Sequence, residues 1–341
     1  MIYRCKAPLR IGLAGGGTDV SPYCDEFGGA ILNATLSLYA YATIEVSNTP
    51  GIIIESIDQQ QIQRYEWMEQ LPINGELDLL KSVYNRIQKD HPFKLNGLHL
   101  TTFVDAPAGS GLGTSSTLVV AILGAFAEML KLPLGDYDLA HYAYEIERID
   151  LKLAGGRQDQ YAATFGGFNF MEFYNNDKVI VNPLRIRKEY LNELENNLVL
   201  YFTATTRESA AIINEQQKNV KEKNSKSIDA MHQLKEQAKM MKEALLVGKL
   251  HQIGEILDYG FQQKKQMAAN ISNSNIDAIY DAAIAAGATG GKISGAGGGG
   301  FMIFYCPGNS RFNVIKTLNT FGGKINPFQF TQEGVTSWTI A

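Results

Sequence analysis

The stretch Pro107-Ala108-Gly109-Ser110-Gly111-Leu112-Gly113-Thr114-Ser115-Ser116-Thr117 constrains this chain more than any other. Ahead of it, Leu98-His99-Leu100-Thr101-Thr102-Phe103-Val104 alternates and is rich in β-formers, which predicts a strand. Behind it, Leu118, Val119, Ile122, Leu123, Phe126 and Leu130 recur at helical spacing. A glycine-rich loop therefore leads from a strand into a helix. Glycine lets backbone approach a ligand closely, and the hydroxyl run supplies capping residues. The free N–H groups and positive dipole end of such a helix favour an anion. The loop reads either as a phosphate cradle or as a tight turn with an ordinary cap.

Two familiar phosphate loops are excluded. A Walker loop needs a lysine after its last glycine, and none follows Gly109, Gly111 or Gly113. The same glycines do not fit the G-x-G-x-x-G spacing of a dinucleotide fold. With 341 residues, 45% hydrophobic and 19% charged, the chain is globular and long enough for one or two domains. A net charge of −4 argues against a nucleic-acid partner, which calls for a basic face, but leaves room for a phosphorylated small molecule. No apolar run approaches the roughly 18 residues that cross a bilayer, so no membrane partner is expected. Met1 to Pro8 has no apolar core of a signal peptide and reads as the direct start of a strand. Cys5, Cys24 and Cys306 are odd in number and far apart, as in a cytoplasmic protein with reduced, partly buried thiols. The five histidines are scattered, so neither a zinc site nor a histidine-based nucleophile is expected.

Taken in order, Ile2 to Leu13 predicts a strand ending in Ala14-Gly15-Gly16-Gly17-Thr18-Asp19. Three glycines and a carboxylate suit a loop pressed on a ligand, with Asp19 accepting hydroxyl hydrogens, or else a flexible capped turn. Strands follow at Ala30–Leu38, Tyr39–Ser47, Ile52–Ile57 and Ile62–Met68, then an amphipathic helix over Leu77–Lys89. A helix is predicted over Asp136–Asp150, followed by the turn Leu153-Ala154-Gly155-Gly156-Arg157-Gln158-Asp159-Gln160 and strands at Gly167–Tyr174 and Lys178–Leu184. Strands and helices are mixed without strict β-α alternation, which makes the fold class α+β. A composition shift near 187–200 divides the chain into 1–190 and 191–341. Past a strand at Leu198–Thr203, long helices are predicted from Glu208 to Met267, broken near Asn224-Ser225 and Gly248, their lysines and glutamates a solvated face. One more helix, Asn275–Ala286, ends at Gly287. In Lys292-Ile293-Ser294-Gly295-Ala296-Gly297-Gly298-Gly299-Gly300, five of nine residues are glycine, which calls for backbone against another backbone or a phosphate.

Three glycine-rich stretches thus stand in a fixed order, and together they resemble the motifs of the GHMP kinases (galactokinase, homoserine, mevalonate and phosphomevalonate kinases). Ala7-Pro8-Leu9-Arg10…Asp19 resembles the first motif, Pro107–Ser116 the second and Lys292–Gly300 the third, so the resemblance covers nearly the whole chain. It implies a two-domain architecture, an N-terminal domain like the second domain of ribosomal protein S5 and a ferredoxin-like C-terminal domain, with ATP between them. It further implies that Pro107, Gly109, Ser110, Gly111, Leu112, Gly113, Thr114, Ser115 and Ser116 wrap the triphosphate. Ser115 and Glu147 would hold Mg²⁺, with Glu145 as the competing carboxylate. Asp159 would be the base and Arg10 the group that keeps it ionised. Gly16, Gly17, Thr18 and Asp19, with Gly297 and Gly298, would face the substrate.

The galactokinase-like Gly-Glu-His-x-Asp is replaced here by Gly15-Gly16-Gly17-Thr18-Asp19, which argues against galactose. Ala7-Pro8-Leu9-Arg10-Ile11 with Glu147-Arg148-Ile149-Asp150 and Ala154–Ala162 is most similar to the bacterial D-glycero-D-manno-heptose 7-phosphate kinases, and beyond them to fucokinases. That similarity implies phosphorylation of the anomeric hydroxyl, on a route to GDP-heptose for surface glycans. Arg157 and Lys292 would then meet the existing 7-phosphate, or serve ATP or a surface pair. Another sugar, such as fucose or an N-acetylhexosamine, and a non-catalytic sugar- and ATP-binding regulator are the alternatives. The oligomeric state is open, with a homodimer as one option.

Overall fold

The structure is a computed structural model, described here over residues 1–205 and 209–340. In chain order the strands are β1 (Ile2–Ala14), β2 (Gly29–Ser47), β3 (Gly51–Ser56), β4 (Gln61–Tyr65), β5 (Gly97–Val104), β6 (Phe168–Phe173), β7 (Val179–Pro183), β8 (Leu198–Phe202), β9 (Gly290–Ile293), β10 (Phe301–Tyr305), β11 (Lys324–Ile325) and β12 (Thr336–Ile340). The helices are α1 (Tyr23–Phe27), α2 (Asp78–Asp90), α3 (Thr114–Leu130), α4 (Asp136–Glu145), α5 (Gln158–Phe165), α6 (Lys188–Asn197), α7 (Ser209–Lys221), α8 (Ser225–Val247), α9 (Ile253–Lys264), α10 (Ser274–Ala285) and α11 (Ser310–Leu318). Glu208, the first residue of the long helical stretch expected from sequence, lies outside the described residues.

Eight strands form one sheet in the order β12-β1-β2-β5-β3-β4, with β6 and β7 continuing from β2. The two strands expected over Ala30–Ser47 are a single long one: β2 pairs with β6 through its first half, with β5 through its second, and with β1 along both. Four strands form a second, antiparallel sheet in the order β11-β8-β10-β9. Numbered within their own βαββαβ path these run 4-1-3-2, the ferredoxin-like order. The 191–341 segment does not stay with that sheet, because β12 crosses back to pair with β1.

α3 is the axis of the larger core. From Ser116 to Phe126 every residue is buried, so this helix is apolar all round and runs through the interior. Full burial of each large side chain, such as Leu118, Ile122 or Phe126, contributes roughly 1.5–3 kcal/mol. Gly124 sits mid-helix because a Cβ there would lie 2.5 Å from Cys5 Sγ on β1. Pinned in this way, the N-terminus of α3 is fixed where β1, the start of α5 and the loop between β9 and β10 meet. Cys5, Cys24 and Cys306 are all buried free thiols. Among the described residues no helix is long and apolar enough to cross a membrane.

Candidate active site

Arg10 sits where the register of β1 on β2 jumps between Pro8 and Arg10, an irregularity of the kind that re-aims a side chain. Its Nε and Nη2 each lie 2.6 Å from Asp159 Oδ1, and its Nη1 donates to the Gly111 carbonyl at 2.7 Å. One guanidinium thereby ties the first turn of α5 to the loop ahead of α3. The carboxylate it holds stands at the mouth of α3, since a Cβ on Gly113 would lie 3.3 Å from Asp159 Cγ.

α3 begins after Gly113, in the left-handed region at φ 77°, and no side chain caps it. Its first amides are therefore available to a ligand. Behind, the loop rests on the third glycine stretch. A Cβ on Gly111 would lie 2.6 Å from the Ser294 carbonyl, and one on Gly295 would lie 2.7 Å from Gly111 Cα. Ser294 Oγ donates to the Gly111 carbonyl at 2.8 Å, and the Phe301 amide donates to the Ser110 carbonyl at 2.8 Å. The glycines of 295–300 thus allow one backbone to lie on another.

The helix expected over Asp136–Asp150 ends at Glu145 and continues as a π turn over Ile146–Asp150, closed by the Leu151 amide on the Ile146 carbonyl. A π turn inserts a residue into the helical register. Glu147 consequently points inward, 1% exposed, its Oε1 accepting from Ser115 Oγ at 3.0 Å and its Oε2 from Gln160 Nε2. Glu145 faces elsewhere and pairs with Arg86 at 2.7 Å. Among the described residues the one cation beside Glu147 is Arg148, at 3.7 Å. A buried carboxylate with neutral donors and so distant a partner has charge left for a bound cation.

Asp19 accepts from the amides of Arg157 at 2.9 Å and Gln158 at 3.1 Å, capping α5. Burial raises its pKa, the neighbouring Asp159 charge adds to that, and the amides oppose it.

Arg10, Gly17, Asp19, Gly109, Gly111, Gly113, Thr114, Ser115, Ser116, Glu147 and Asp159 all line one cleft of ≈ 280 Å³. Other residues singled out from the sequence do different work. The Arg157 guanidinium, expected at a substrate phosphate, is held by the Tyr174 carbonyl at 2.8 Å, Ser21, Asp25 and Asp177. Lys292, expected there too, is buried and donates to the Gly12 carbonyl at 2.7 Å. Burial, then the charges of Lys264 and Arg10, push its pKa well below normal. Thr18 is fully buried and bonds the Gly15 and Ala30 carbonyls, so it staples the first glycine loop instead of facing a ligand. Gly16 backs onto Lys264 and Lys292, while Gly297 and Gly298 pack on Ile271. Pro107, Ser110 and Leu112 shape the loop from outside the cleft lining, Leu112 and Ser110 being fully buried.

Sequence reading missed Lys264. It closes α9, which reads as one more amphipathic helix, yet its ammonium enters the cleft 3% exposed and donates to the Gly295 carbonyl. Burial, then Arg10, lowers its pKa to about 8, with Asp19 and Asp159 pulling the other way. Arg148, which the sequence reading names only within Glu147-Arg148-Ile149-Asp150 and gives no role, also lines the cleft.

The family descriptions "GHMP kinases N terminal domain" and "GHMP kinases C terminal" match residues 78–167 and 241–324. A D-glycero-alpha-D-manno-heptose 7-phosphate kinase of Campylobacter jejuni is 51% identical, over 99% of each chain. The crystal structure of a D-glycero-D-manno-heptose 1-phosphate kinase from Bacteroides thetaiotaomicron is 47% identical, with a TM-score of 0.85 and 99% of each chain covered. The galactokinase of Lactococcus lactis, solved with galactose, shares the fold at 18% identity, with a TM-score of 0.77 over 98% of this chain and 95% of that one. With the three glycine-rich stretches meeting at one cleft and half its residues shared with a full-length relative, this chain belongs to the GHMP kinases.

Proposed function

We propose that this chain is an ATP-dependent sugar kinase that phosphorylates the anomeric C1 hydroxyl of D-glycero-D-manno-heptose 7-phosphate, giving the 1,7-bisphosphate and ADP. One observation carries the reading: a carboxylate, Asp159, is fixed by Arg10 beside the uncapped start of α3. In that reading the amides from Gly111 to Ser115 hold the ATP phosphates. Asp159 orients the C1 hydroxyl and takes its proton as the oxygen attacks the γ-phosphorus. Arg10 keeps Asp159 charged and offsets negative charge as it spreads over the transferring group. Asp19 holds a second sugar hydroxyl.

The buried Glu147 carboxylate beside Ser115 supports Mg²⁺ as the partner of ATP. Ser115 Oγ and a Glu147 oxygen are hard donors 3.0 Å apart. Among the described residues no group of three or more His, Cys, Asp or Glu could hold a metal, so phosphate and water oxygens would complete the shell, as Mg²⁺ prefers. Bound there, the ion would neutralise phosphate charge during transfer.

A regulator that only senses ATP and sugar has no need of a base locked to an arginine, and the pairing of Arg10 with Asp159 favours the enzyme. The test is to incubate the protein with heptose 7-phosphate, ATP and Mg²⁺ and identify the product by ³¹P NMR. The expected result is a new anomeric phosphate with the 7-phosphate retained. Turnover of fucose but not of the heptose would overturn the substrate, and binding of both ligands without transfer would overturn the enzyme.

A further inference from the structure

The cleft continues past Asp19. A second cavity of ≈ 270 Å³ shares Asp19, Arg148 and the turn at 153–155 with it, and is bounded further by Lys152 and by Asn214 and Gln217 of α7. Its wall includes Arg157, whose charge is already met by Asp25 and Asp177. The other two cations are not met in this way. Lys152 is exposed and has no ion pair among the described residues, and Arg148 has only Glu147 at 3.7 Å. The turn is shaped to admit Arg148: a Cβ on Gly155 would lie 2.3 Å from its Cζ, and its Nε donates to the Gly156 carbonyl at 3.2 Å.

We infer that this annex binds a phosphate monoester carried by the sugar at the end remote from the hydroxyl facing Asp159, with Arg148 and Lys152 as its cations. The inference rests on the sugar-kinase reading above and assigns the phosphate to Arg148 and Lys152, Arg157 standing in the same wall already paired with Asp25 and Asp177, and Lys292 lying outside it. A neutral sugar would offer hydroxyls to Asn214 and Gln217 but leave Lys152 without a counter-charge and Arg148 with only Glu147 at 3.7 Å. A phosphate dianion answers both, since a guanidinium and an ammonium converge on it while side-chain amides satisfy its remaining oxygens. Because Asp159 lines the main cleft but not the annex, Lys152 the annex but not the main cleft, and Arg148 both, a sugar spanning the two would present opposite ends to Asp159 and to Lys152, with Arg148 between.

Lys152→Gln and Lys152→Glu test this, because the side chain is exposed and its loss leaves the fold intact. Binding of heptose 7-phosphate and of unphosphorylated heptose is measured by calorimetry without ATP, and kcat/KM for both with ATP. Loss of one charge-assisted contact should weaken binding of the 7-phosphate about tenfold in Lys152→Gln, and more in Lys152→Glu, with the unphosphorylated sugar unaffected. Arg148→Gln should show the same selectivity in binding. Equal effects on both sugars, or none, overturn the subsite and leave the kinase reading standing. Selective loss of binding in a protein that transfers no phosphate supports the subsite and overturns the kinase reading instead.

Discussion

The two walls of the cleft come from different parts of the chain and differ in kind. Among the described residues, those before 161 bring the cleft's carboxylates, Asp19, Glu147 and Asp159, together with Ser115 and Arg10, each fixed by a hydrogen bond or ion pair to another element of the same half. Among the described residues the later half brings α7, the Lys264 ammonium and the Gly295-Ala296 backbone, with no carboxylate, and Gly295 packs on Gly111 of the glycine loop. A rigid chemical wall and a supporting wall should fail differently. Changes on the first should lower kcat, and changes on the second should raise KM or reduce stability.

The largest effect is expected at Asp159. Asp159→Asn keeps the size of the side chain and loses the base, so kcat should fall by about 10²–10⁴-fold while ATP still binds. Steady-state kinetics beside equilibrium nucleotide binding check this, and normal turnover would remove Asp159 from the chemistry. Next comes Glu147→Gln, expected to lower kcat by about a hundredfold at low Mg²⁺ and to recover partly as Mg²⁺ is raised. A loss independent of Mg²⁺ would make Glu147 a purely structural partner of Ser115 and Gln160.

On the supporting wall, Gly295→Ala places a Cβ 2.7 Å from Gly111 Cα at a residue with φ 69°. It should destabilise the protein by about 1–3 kcal/mol and raise KM for ATP, with kcat changed little. Thermal melts and KM values check this, and a collapse of kcat alone would erase the distinction between the walls. The smallest effect concerns Lys264, whose ammonium discharges near pH 8. KM for ATP should rise a few-fold above that pH in the wild type and lose this dependence in Lys264→Met. Stability should move the other way. The unfolded lysine keeps its proton to about pH 10.4, so between pH 8 and that value the unfolded state binds more protons and stability rises with pH.

Much of this arrangement is legible from sequence because it depends on local pattern. The strand, loop and helix around Gly109–Ser116 announce themselves through alternation, glycine and helical period, and the breaks at Asn224-Ser225 and Gly248 coincide with the start and end of α8. The bulge between Pro8 and Arg10 is not legible, and neither is the continuity of β2 across it, because both depend on pairing between distant strands. α6 hides in what reads as a change of composition, and β12 is a short exposed strand whose partner lies more than 300 residues earlier. The π turn separates Glu147 from Glu145, which a period of 3.6 leaves level as candidates. Arg157 and Lys264 exchange their expected environments for a tertiary reason. Asp25 and Asp177 converge on the arginine, while packing of α9 against β9 carries a lysine of an ordinary amphipathic helix into the cleft.

The account turns on the sugar alcohol meeting Asp159 at the start of α3, and a crystal structure with heptose 7-phosphate and a non-hydrolysable ATP analogue measures that contact. The predicted result is the C1 oxygen within about 3 Å of an Asp159 oxygen, with the γ-phosphate on the amides ahead of Ser115. A sugar hydroxyl positioned for transfer beside any other residue, with Asp159 still locked to Arg10 and out of reach, would contradict it.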